Sequence, residues 1–301
     1  MTQTTSTPVR LRAPDGFVLA ARHFTPTTTT PPARPAGAVV IASATGVKAT
    51  YYRRYAEFLA SHGFHAVTFD YRGVGESREP FAVARRARWA DWGALDADAV
   101  LGWARTRLPG PLLTVGHSYG GFGIGLADEA RHVARHVAVG GQHAHWRDYR
   151  ARPGRARMWA RWHAAMPAIT LARGHFPGRR LGWLEDLPRG VALDWARSRR
   201  DFTASARTGA GRDELRRRLA AFTADALIVA PVDDDFGTEA ALDRADAYSP
   251  GRRTVRWRVR PEELGVAEIG HFGLFHARFA PTFWPATLEW LRDGVAPDAA
   301  R

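Results

Sequence analysis

The sequence predicts an α/β protein with a mostly parallel central sheet covered by helices and with an inserted helical cap. Over most of the 301 residues, short apolar runs typical of buried strands alternate with segments of helical periodicity. Such alternation favours a parallel sheet with helices on both faces. The alternation stops between about residues 142 and 220, where Trp, Arg and Pro are frequent and strand patterns are missing. This break predicts an insertion between two strands of the sheet.

The length and the position of the break together predict the domain organisation. A chain of 301 residues can bury the core of one large α/β domain that carries an insertion. We therefore expect a first part of the core at 1–141, a helical cap at 142–220 and a second part of the core at 221–301.

The individual elements follow from local patterns. An N-terminal hairpin is expected because Val9–Arg12 and Phe17–Phe24 flank the turn sequence Pro14-Asp15-Gly16. The threonine- and proline-rich segment Thr25–Gly37 is expected to be a loop. The further predicted strands are Ala38–Ser43, Phe64–Asp70, Leu112–His117, Val133–Gly140, Ala226–Pro231 and Thr254–Arg260. The predicted helices are Tyr51–His62, Asp91–Leu108, Tyr119–Ala130, Thr238–Tyr248 and one near Ala280–Arg292.

The net charge of +13 comes almost entirely from arginine and is concentrated in the predicted cap. A charge of this size can indicate binding to nucleic acid. The chain shows neither a nucleic-acid-binding fold nor a basic helix suited to a groove, so we expect no nucleic-acid partner. Two interpretations of the arginines stay open: a solvated surface, or a segment that attracts an anionic substrate.

The cysteine content and the N-terminus bear on location. The chain has no cysteine, which excludes disulfides, thiolate metal sites and a cysteine nucleophile. Residues 1–8 are polar and lack the basic-then-apolar order of a secretory signal. No apolar run approaches the ~18 residues that a membrane span requires. We therefore expect a cytoplasmic protein without a membrane span.

A Gly-x-Ser-x-Gly pattern at residues 116–120 lies between a predicted strand and a glycine-rich helix. In this context the pattern forms a sharp turn that exposes a nucleophilic serine. Small residues flank the serine because a side chain at 116 or 120 would collide with neighbouring backbone. We predict that Ser118 is a nucleophile at the start of a helix, whose dipole favours developing negative charge.

A serine hydroxyl is a weak nucleophile and needs a base that is oriented by an acid. In chains with this type of serine turn, the order is Ser, then Asp or Glu, then His. His271 lies in a glycine-flanked loop after the last predicted strand and is the predicted base. Among the three aspartates after the preceding strand we choose Asp234 as the acid, with Asp233 as the alternative. The remaining carboxylates are expected to be solvated or to cap the following helix.

Acyl transfer also requires two N–H groups that stabilise an oxyanion. The backbone N–H of Tyr119, directly after the predicted nucleophile, is the first candidate. The second is the N–H of Thr45, because the small residues of the segment 43–46 allow the backbone to approach a substrate.

The other patterns give little support to a cofactor or a metal. Residues 120–125 do not have G-x-G-x-x-G spacing, and we expect these glycines to allow close packing of a helix on the sheet. The histidines between 143 and 175 lack an H-E-x-x-H pattern. We therefore predict neither a cofactor nor a metal. Five tryptophans are expected to pack inside the cap, with some of them lining a substrate pocket: Trp146, Trp159, Trp162, Trp183 and Trp195.

These motifs together resemble the α/β-hydrolase superfamily over nearly the whole chain. The segment DYRGVGES at 70–77 is similar to the D-x-R-G-x-G-x-S turn found after an early strand in many members. A narrower resemblance, to bacterial serine aminopeptidase-like hydrolases, rests on SATGV at 43–47, FDYRGVGES at 69–77, HFPGRRLGWLEDLPRGVALDW at 175–195, DDDFGT at 233–238 and IGHFGLF at 269–275.

The resemblance implies the α/β-hydrolase fold and its serine, acid and histidine machinery. The chain departs from the family at Ser43-Ala44, where His-Gly is usual. The family's acid loop aligns best with Asp234, and a shift of one residue selects Asp233.

We predict a carboxylesterase-like serine hydrolase that acts on a small-molecule acyl substrate. The alternatives are an acyltransferase or thioesterase that acts on an anionic acyl carrier, and a catalytically silent scaffold used for binding. The sequence leaves the substrate and the oligomeric state open, since this fold supports many reactions.

Overall fold

An eight-stranded sheet forms the centre of the structure, a computed structural model that describes residues 6–27, 36–78, 84, 86–150, 154–205 and 209–300. The strands are β1 (Ser6–Arg12), β2 (Val18–Phe24), β3 (Ala38–Ala42), β4 (His65–Phe69), β5 (Leu112–His117), β6 (Arg135–Val139), β7 (Asp225–Pro231) and β8 (Thr254–Val259). All eight predicted strands occur close to their expected positions. Of the predicted loop at 25–37, residues 28–35 lie outside the described residues.

The order of the strands is β1-β2-β4-β3-β5-β6-β7-β8. The hairpin β1–β2 is antiparallel, and β2 also pairs antiparallel with β4. The strands from β3 to β8 run parallel to one another. The carboxyl ends of these parallel strands therefore meet at one edge, where ligands bind in open α/β sheets.

Helices cover both faces of the sheet, and further helices lie in the segment between β6 and β7. They are α1 (Arg53–Ser61), α2 (Asp98–Arg107), α3 (Tyr119–Gly123), α4 (Gly154–Trp159), α5 (Met166–Arg173), α6 (Gly178–Leu181), α7 (Arg189–Ala196), α8 (Gly209–Ala221), α9 (Glu239–Asp246) and α10 (Phe283–Asp293). A short helical turn (Trp89–Asp91) and a π-helical segment (Trp92–Ala97) precede α2, and a second π-helical segment (Ala160–Ala165) joins α4 to α5. Short 3₁₀ segments occupy Ala49–Tyr52, Gly75–Ser77, Ile124–Leu126, Asp128–His132, Trp146–Asp148, Phe202–Ser205, Pro261–Leu264, Gly273–Phe275 and Ala277–Phe279.

The predicted continuous helix from Tyr119 to Ala130 is wrong. Helix α3 ends at Gly123, and two 3₁₀ turns follow it. Glycine is a poor helix former, and four glycines between 120 and 125 weaken the helical backbone here. Ala127, with φ −71° and ψ 138°, then takes an extended conformation that stops the helix.

Two apolar layers hold the helices against the sheet. Successive side chains of a strand point to opposite faces, so Val39 and Val40 of β3 enter different layers. The layer of Val40 includes Trp92, and the layer of Val39 includes Tyr55 and Trp290, all fully buried. The sheet is thereby covered on both faces, and the predicted α/β architecture is confirmed.

The insertion lies between β6 and β7 and contains the five helices α4 to α8. The helical character expected for this segment is therefore found. The precise boundaries predicted at 142 and 220 stay a prediction, because β6 ends at 139 and β7 begins at 225.

The turn after β4, residues 70–77, forms hydrogen bonds and ion pairs with the segment before α1, the segment before α2 and the β1–β2 turn. Asp70 accepts hydrogen bonds from the N–H groups of Ala49 (2.7 Å) and Glu76 (2.9 Å). Arg72 pairs with the fully buried Asp96 through its Nε (2.7 Å) and also binds Asp15 in the β1–β2 turn. This segment supports the fold through the buried pair Arg72–Asp96, whose disruption leaves an unpaired charge in the interior.

None of the helices in the ranges that the structure describes combines the length and the apolar character needed to cross a membrane.

Candidate active site

Ser118 lies between β5 and α3 in an unusual backbone conformation, with φ 55° and ψ −121°. Among the described residues, only Ser118 and Ala144 have a positive φ without being glycine. Such strain occurs preferentially at functional sites. The turn is also tightly packed, since a Cβ added at Gly116 would lie 2.4 Å from the Gly120 oxygen, and one at Gly120 would lie 2.2 Å from the Ala42 oxygen. These contacts explain why both flanking positions need glycine.

His271 and Asp234 form a hydrogen-bonded pair beside this turn. His271 Nδ1 lies 2.8 Å from Asp234 Oδ2, so the Nδ1–H donates to the carboxylate. The other carboxylate oxygen accepts the N–H groups of Phe236 (2.7 Å) and Gly237 (2.8 Å). Burial opposes ionisation of Asp234, but the His271 imidazole and these N–H donors outweigh it and hold the pKa of Asp234 below its ordinary value. Asp234 is therefore an ionised group in a fixed orientation.

Asp233 and Asp235, the neighbours of Asp234, have other partners. Asp233 Oδ2 accepts the N–H groups of Ile269 (2.8 Å) and Gly270 (3.1 Å), directly before His271. Asp235 lies 3.8 Å from Arg150. The structure therefore places Asp234 against the imidazole and places Asp233 behind the loop that carries it. The helix α9 is capped by Thr238, and no aspartate of this loop caps it.

Ser118 and His271 line the same cavity, which has a volume of about 380 Å³. The described chain contains no hydrogen bond between these two side chains. Instead, Ser118 Oγ accepts a hydrogen bond from Gln142 Nε2 at 3.3 Å. Catalytic hydrogen bonds are often long or poorly aligned before substrate binds.

Gln142 is a candidate functional residue that the sequence analysis did not identify. It is buried, follows β6 and lines the cavity. The Ala144 N–H donates to Gln142 Oε1, so the amide nitrogen is the end that faces Ser118. Ala144 adopts φ 58° in doing so. A position just after the carboxyl end of a parallel strand was the available sequence signal.

Both N–H groups predicted to bind an oxyanion belong to residues that line the cavity, Thr45 and Tyr119. Neither N–H takes part in a hydrogen bond within the described part of the chain. The Thr45 hydroxyl accepts from Trp89 Nε1 (3.2 Å), which fixes its side chain. The adjacent N–H of Ala44 is already bound to the Tyr52 hydroxyl at 3.0 Å. The loop after β3 is therefore anchored at the residue that carries the candidate donor and at the residue before it.

A buried chain of hydrogen bonds connects this loop to the histidine loop. The Tyr52 hydroxyl accepts from Ala44 N–H and donates to His117 Nδ1 at 2.8 Å. His117 Nε2 in turn donates to the His271 carbonyl at 2.9 Å. Burial and the nearby imidazole of His271 lower the pKa of His117 to about 3, so this ring stays neutral. The neutral ring can then accept at one nitrogen and donate at the other.

The cap supplies the outer wall of the cavity. Trp162, Trp183 and Trp195 line it together with Trp89 of the core. Trp162 and Trp195 stack with ring centroids 4.8 Å apart. Of the five cap tryptophans expected to pack, these three also line the cavity as predicted, whereas Trp159 is exposed, so the prediction that it packs inside the cap is wrong. An apolar wall with few polar groups is typical of small-molecule sites.

The residues that the structure describes contain no group of three or more His, Asp or Glu side chains placed to hold a metal ion.

Comparisons with known proteins agree with this fold. The model of the alpha/beta hydrolase family matches residues 38–297. The comparison with curated protein sequences gives no match. Similar solved structures include DcsB in complex with a substrate analogue, with 14% identity, 97% of this chain and 100% of that chain covered, and a TM-score of 0.62. The esterase Pf2001 from Pyrococcus furiosus has 14% identity, coverage of 96% and 90%, and a TM-score of 0.56.

A haloalkane dehalogenase variant, DbeA-M1 from Bradyrhizobium elkanii, has 14% identity, coverage of 95% and 96%, and a TM-score of 0.61. At such low identity the structural likenesses bear on the fold alone.

Proposed function

Because the chain belongs to the alpha/beta hydrolase family, we propose that it is a serine hydrolase that cleaves carboxylic esters through an acyl-enzyme on Ser118. The observation that carries this proposal is the 2.8 Å hydrogen bond between His271 Nδ1 and the buried Asp234, at a cavity that Ser118 also lines. An imidazole held by a buried carboxylate next to a strained serine is the arrangement that acyl transfer requires.

In the first half of the reaction, Ser118 Oγ attacks the ester carbonyl carbon while His271 Nε2 takes the hydroxyl proton. Asp234 keeps the proton of His271 on Nδ1, so that Nε2 can accept, and it stabilises the imidazolium that forms. The C–O bond to the alcohol then breaks, and His271 returns the proton to the leaving alcohol. The acyl group remains on Ser118 as an ester.

In the second half, a water molecule attacks the acyl carbon and His271 takes one of its protons. The bond to Ser118 Oγ breaks, the serine regains its proton from His271, and the carboxylic acid leaves. The Thr45 and Tyr119 N–H groups are proposed to stabilise the oxyanion in both halves. Loss of one such donor typically costs about 10²–10³-fold in rate.

The preference for an ester rests on the apolar wall that Trp89, Trp162, Trp183 and Trp195 give the cavity. The narrower similarity to serine aminopeptidase-like hydrolases and the alternatives of acyl transfer or thioester hydrolysis use the same machinery and stay predictions.

Active-site labelling tests the proposal directly. A fluorophosphonate probe is expected to label the wild-type protein and not Ser118→Ala, whereas Ser61→Ala, a change at a serine at the end of α1, keeps full labelling. A panel of nitrophenyl esters of increasing acyl length measures the activity. A wild-type protein that is neither labelled nor active on any ester of the panel would refute the assignment and favour a silent scaffold.

A further inference from the structure

Arg161 of the cap is held at the cavity by aromatic rings and not by a carboxylate. Its guanidinium carbon lies 4.2 Å from the centre of the Trp183 ring and 4.9 Å from that of Trp162. Such contacts attract a cation and fix its orientation, but they leave its N–H donors available. The side chain therefore has a fixed position without having its hydrogen-bonding capacity satisfied.

The N–H donors of Arg161 lack hydrogen-bond partners among the described residues. Its Nε is buried and has no hydrogen-bond partner. Within the described ranges, no carboxylate lies close enough to form an ion pair with it. Buried donors without a partner are rare in proteins, and each needs an explanation. The terminal nitrogens of Arg161 also make no hydrogen bond to any described residue, and a bound anion would satisfy these donors.

The charges around the cavity favour the same occupant. Arg157, a turn before Arg161, also lines the cavity and has no ion pair in the described part of the chain. Asp235 is the one carboxylate among the described lining residues, and Arg150 lies 3.8 Å from it. The outer part of the cavity is therefore positive, while its walls are tryptophan rings. Arginine binds carboxylates through a planar pair of donors.

We propose that Arg161 forms an anion subsite of this cavity and that the preferred substrate is an ester that carries a carboxylate at a distance from the scissile bond. This inference rests on the proposed function, since it specifies the substrate class of the same site. Arg157 adds charge at the mouth, and the tryptophan rings contact the apolar part of the substrate between the carboxylate and Ser118.

Matched pairs of esters test the substrate class. In one pair the carboxylate is on the acyl part: the 4-nitrophenyl monoester of glutarate is compared with the uncharged, isosteric 4-nitrophenyl 5-methylhexanoate. In the other pair the carboxylate is on the alcohol part: 4-(butanoyloxy)benzoate is compared with 4-isopropylphenyl butanoate. We expect the wild-type protein to prefer the anionic member of at least one pair by about 10- to 100-fold in kcat/KM, which is the range of one charge-assisted hydrogen bond. The difference should lie mainly in KM.

Variants of Arg161 assign this preference to the subsite. Arg161→Gln should abolish the preference, because kcat/KM falls much more with the anionic ester than with the neutral ester of the same pair. Arg161→Lys should keep part of the preference because it keeps the charge without the planar donors. Arg173→Gln, at an exposed arginine of the same cap, is the control and should keep the whole preference. An Arg161→Gln variant that retains the preference, or a wild-type protein that favours the neutral esters, would overturn the inference.

Two further measurements keep the result interpretable. If Arg161→Gln fails to fold, as judged by circular dichroism and thermal unfolding, the wild-type preference is measured at rising ionic strength. It should decline as salt screens the charge, and a preference that is independent of salt would contradict the subsite.

Calorimetric titration of Ser118→Ala with both members of each pair measures binding without turnover. Stronger binding of the anionic esters supports the subsite even if catalysis is lacking, whereas equal binding together with turnover by the wild type refutes the subsite and leaves the hydrolase assignment intact.

Discussion

The substitutions Asp234→Asn and Asp233→Asn should differ greatly in their effect on catalysis. In Asp234→Asn, the side-chain oxygen can still accept the N–H groups of Phe236 and Gly237, which lie 2.7 and 2.8 Å from Oδ1. The amide nitrogen then takes the place of Oδ2 opposite His271. Because an amide nitrogen cannot accept the Nδ1 proton, the imidazole shifts to the tautomer that carries its proton on Nε2.

An imidazole protonated on Nε2 cannot take the proton of Ser118. The known cost of this exchange in serine hydrolases of similar geometry is roughly 10⁴-fold in kcat, or about 5 kcal/mol of transition-state stabilisation. Asp233→Asn keeps an oxygen that can accept from Ile269 and Gly270 and loses only the charge on that acceptor, so we expect a loss within about tenfold.

Both variants should be assayed for kcat with the same nitrophenyl ester, with thermal unfolding to show that each is folded. A larger loss in Asp233→Asn than in Asp234→Asn would refute the reasoning. Equal losses would also count against it, because they would mean that the hydrogen bond to His271 does not distinguish the two carboxylates.

Three more predictions concern groups around Ser118. Gln142→Ala removes the amide donor to Ser118 Oγ, and we expect kcat/KM to fall by about three- to tenfold, as one neutral hydrogen bond allows; an unchanged value would show that this contact is incidental. Tyr52→Phe leaves Ala44 N–H and His117 Nδ1 without their shared partner, and it should lower the free energy of unfolding in urea by about 1–3 kcal/mol; a value close to zero would contradict the role given to this hydroxyl. The third prediction concerns pH: the folded protein keeps His117 neutral with a pKa of about 3, against 6.5 for an unperturbed ring. The unfolded chain thus takes up this proton first as the pH falls, and stability should be complete above pH about 6.5 and decline towards pH 3 by up to about 1.4 kcal/mol per pH unit for this group. Urea unfolding at several pH values should give a shallower dependence for His117→Gln than for the wild type, and equal slopes would be evidence against a buried neutral ring.

The strands and their order of appearance could be predicted because a buried parallel strand has a strong local signature. Five consecutive buried residues of β3 are apolar, and residues of polar type begin where the strand ends. The π-helical segment Trp92–Ala97 could not be predicted, because the shift in hydrogen bonding that defines it leaves no residue pattern. The break after Gly123 had a visible signal, because the four glycines between 120 and 125 weaken a helical backbone.

The residues of the candidate site also differ in whether the sequence around them predicts their role. Ser118 and His271 have local signals, a glycine-flanked serine after a strand and a glycine-flanked histidine near the C-terminus. The choice between Asp233 and Asp234 had no such signal, because adjacent residues of one loop differ only in the direction that the backbone gives them. The contact between Tyr52 and His117 joins residues 65 apart in sequence, and that of His117 with the His271 carbonyl joins residues 154 apart. Such pairings depend on tertiary packing that one sequence does not reveal.

The backbone angle at Ser118 implies an opposition between folding and function at this position. Positive φ is unfavourable for a side chain with a Cβ atom and costs about 1–3 kcal/mol, which the surrounding sheet and helix must compensate. Glycine adopts the same angle without that cost. An inactive Ser118→Gly protein should therefore melt at a higher temperature than Ser118→Ala, which retains the Cβ atom. At this residue the chain is less stable than its fold would permit.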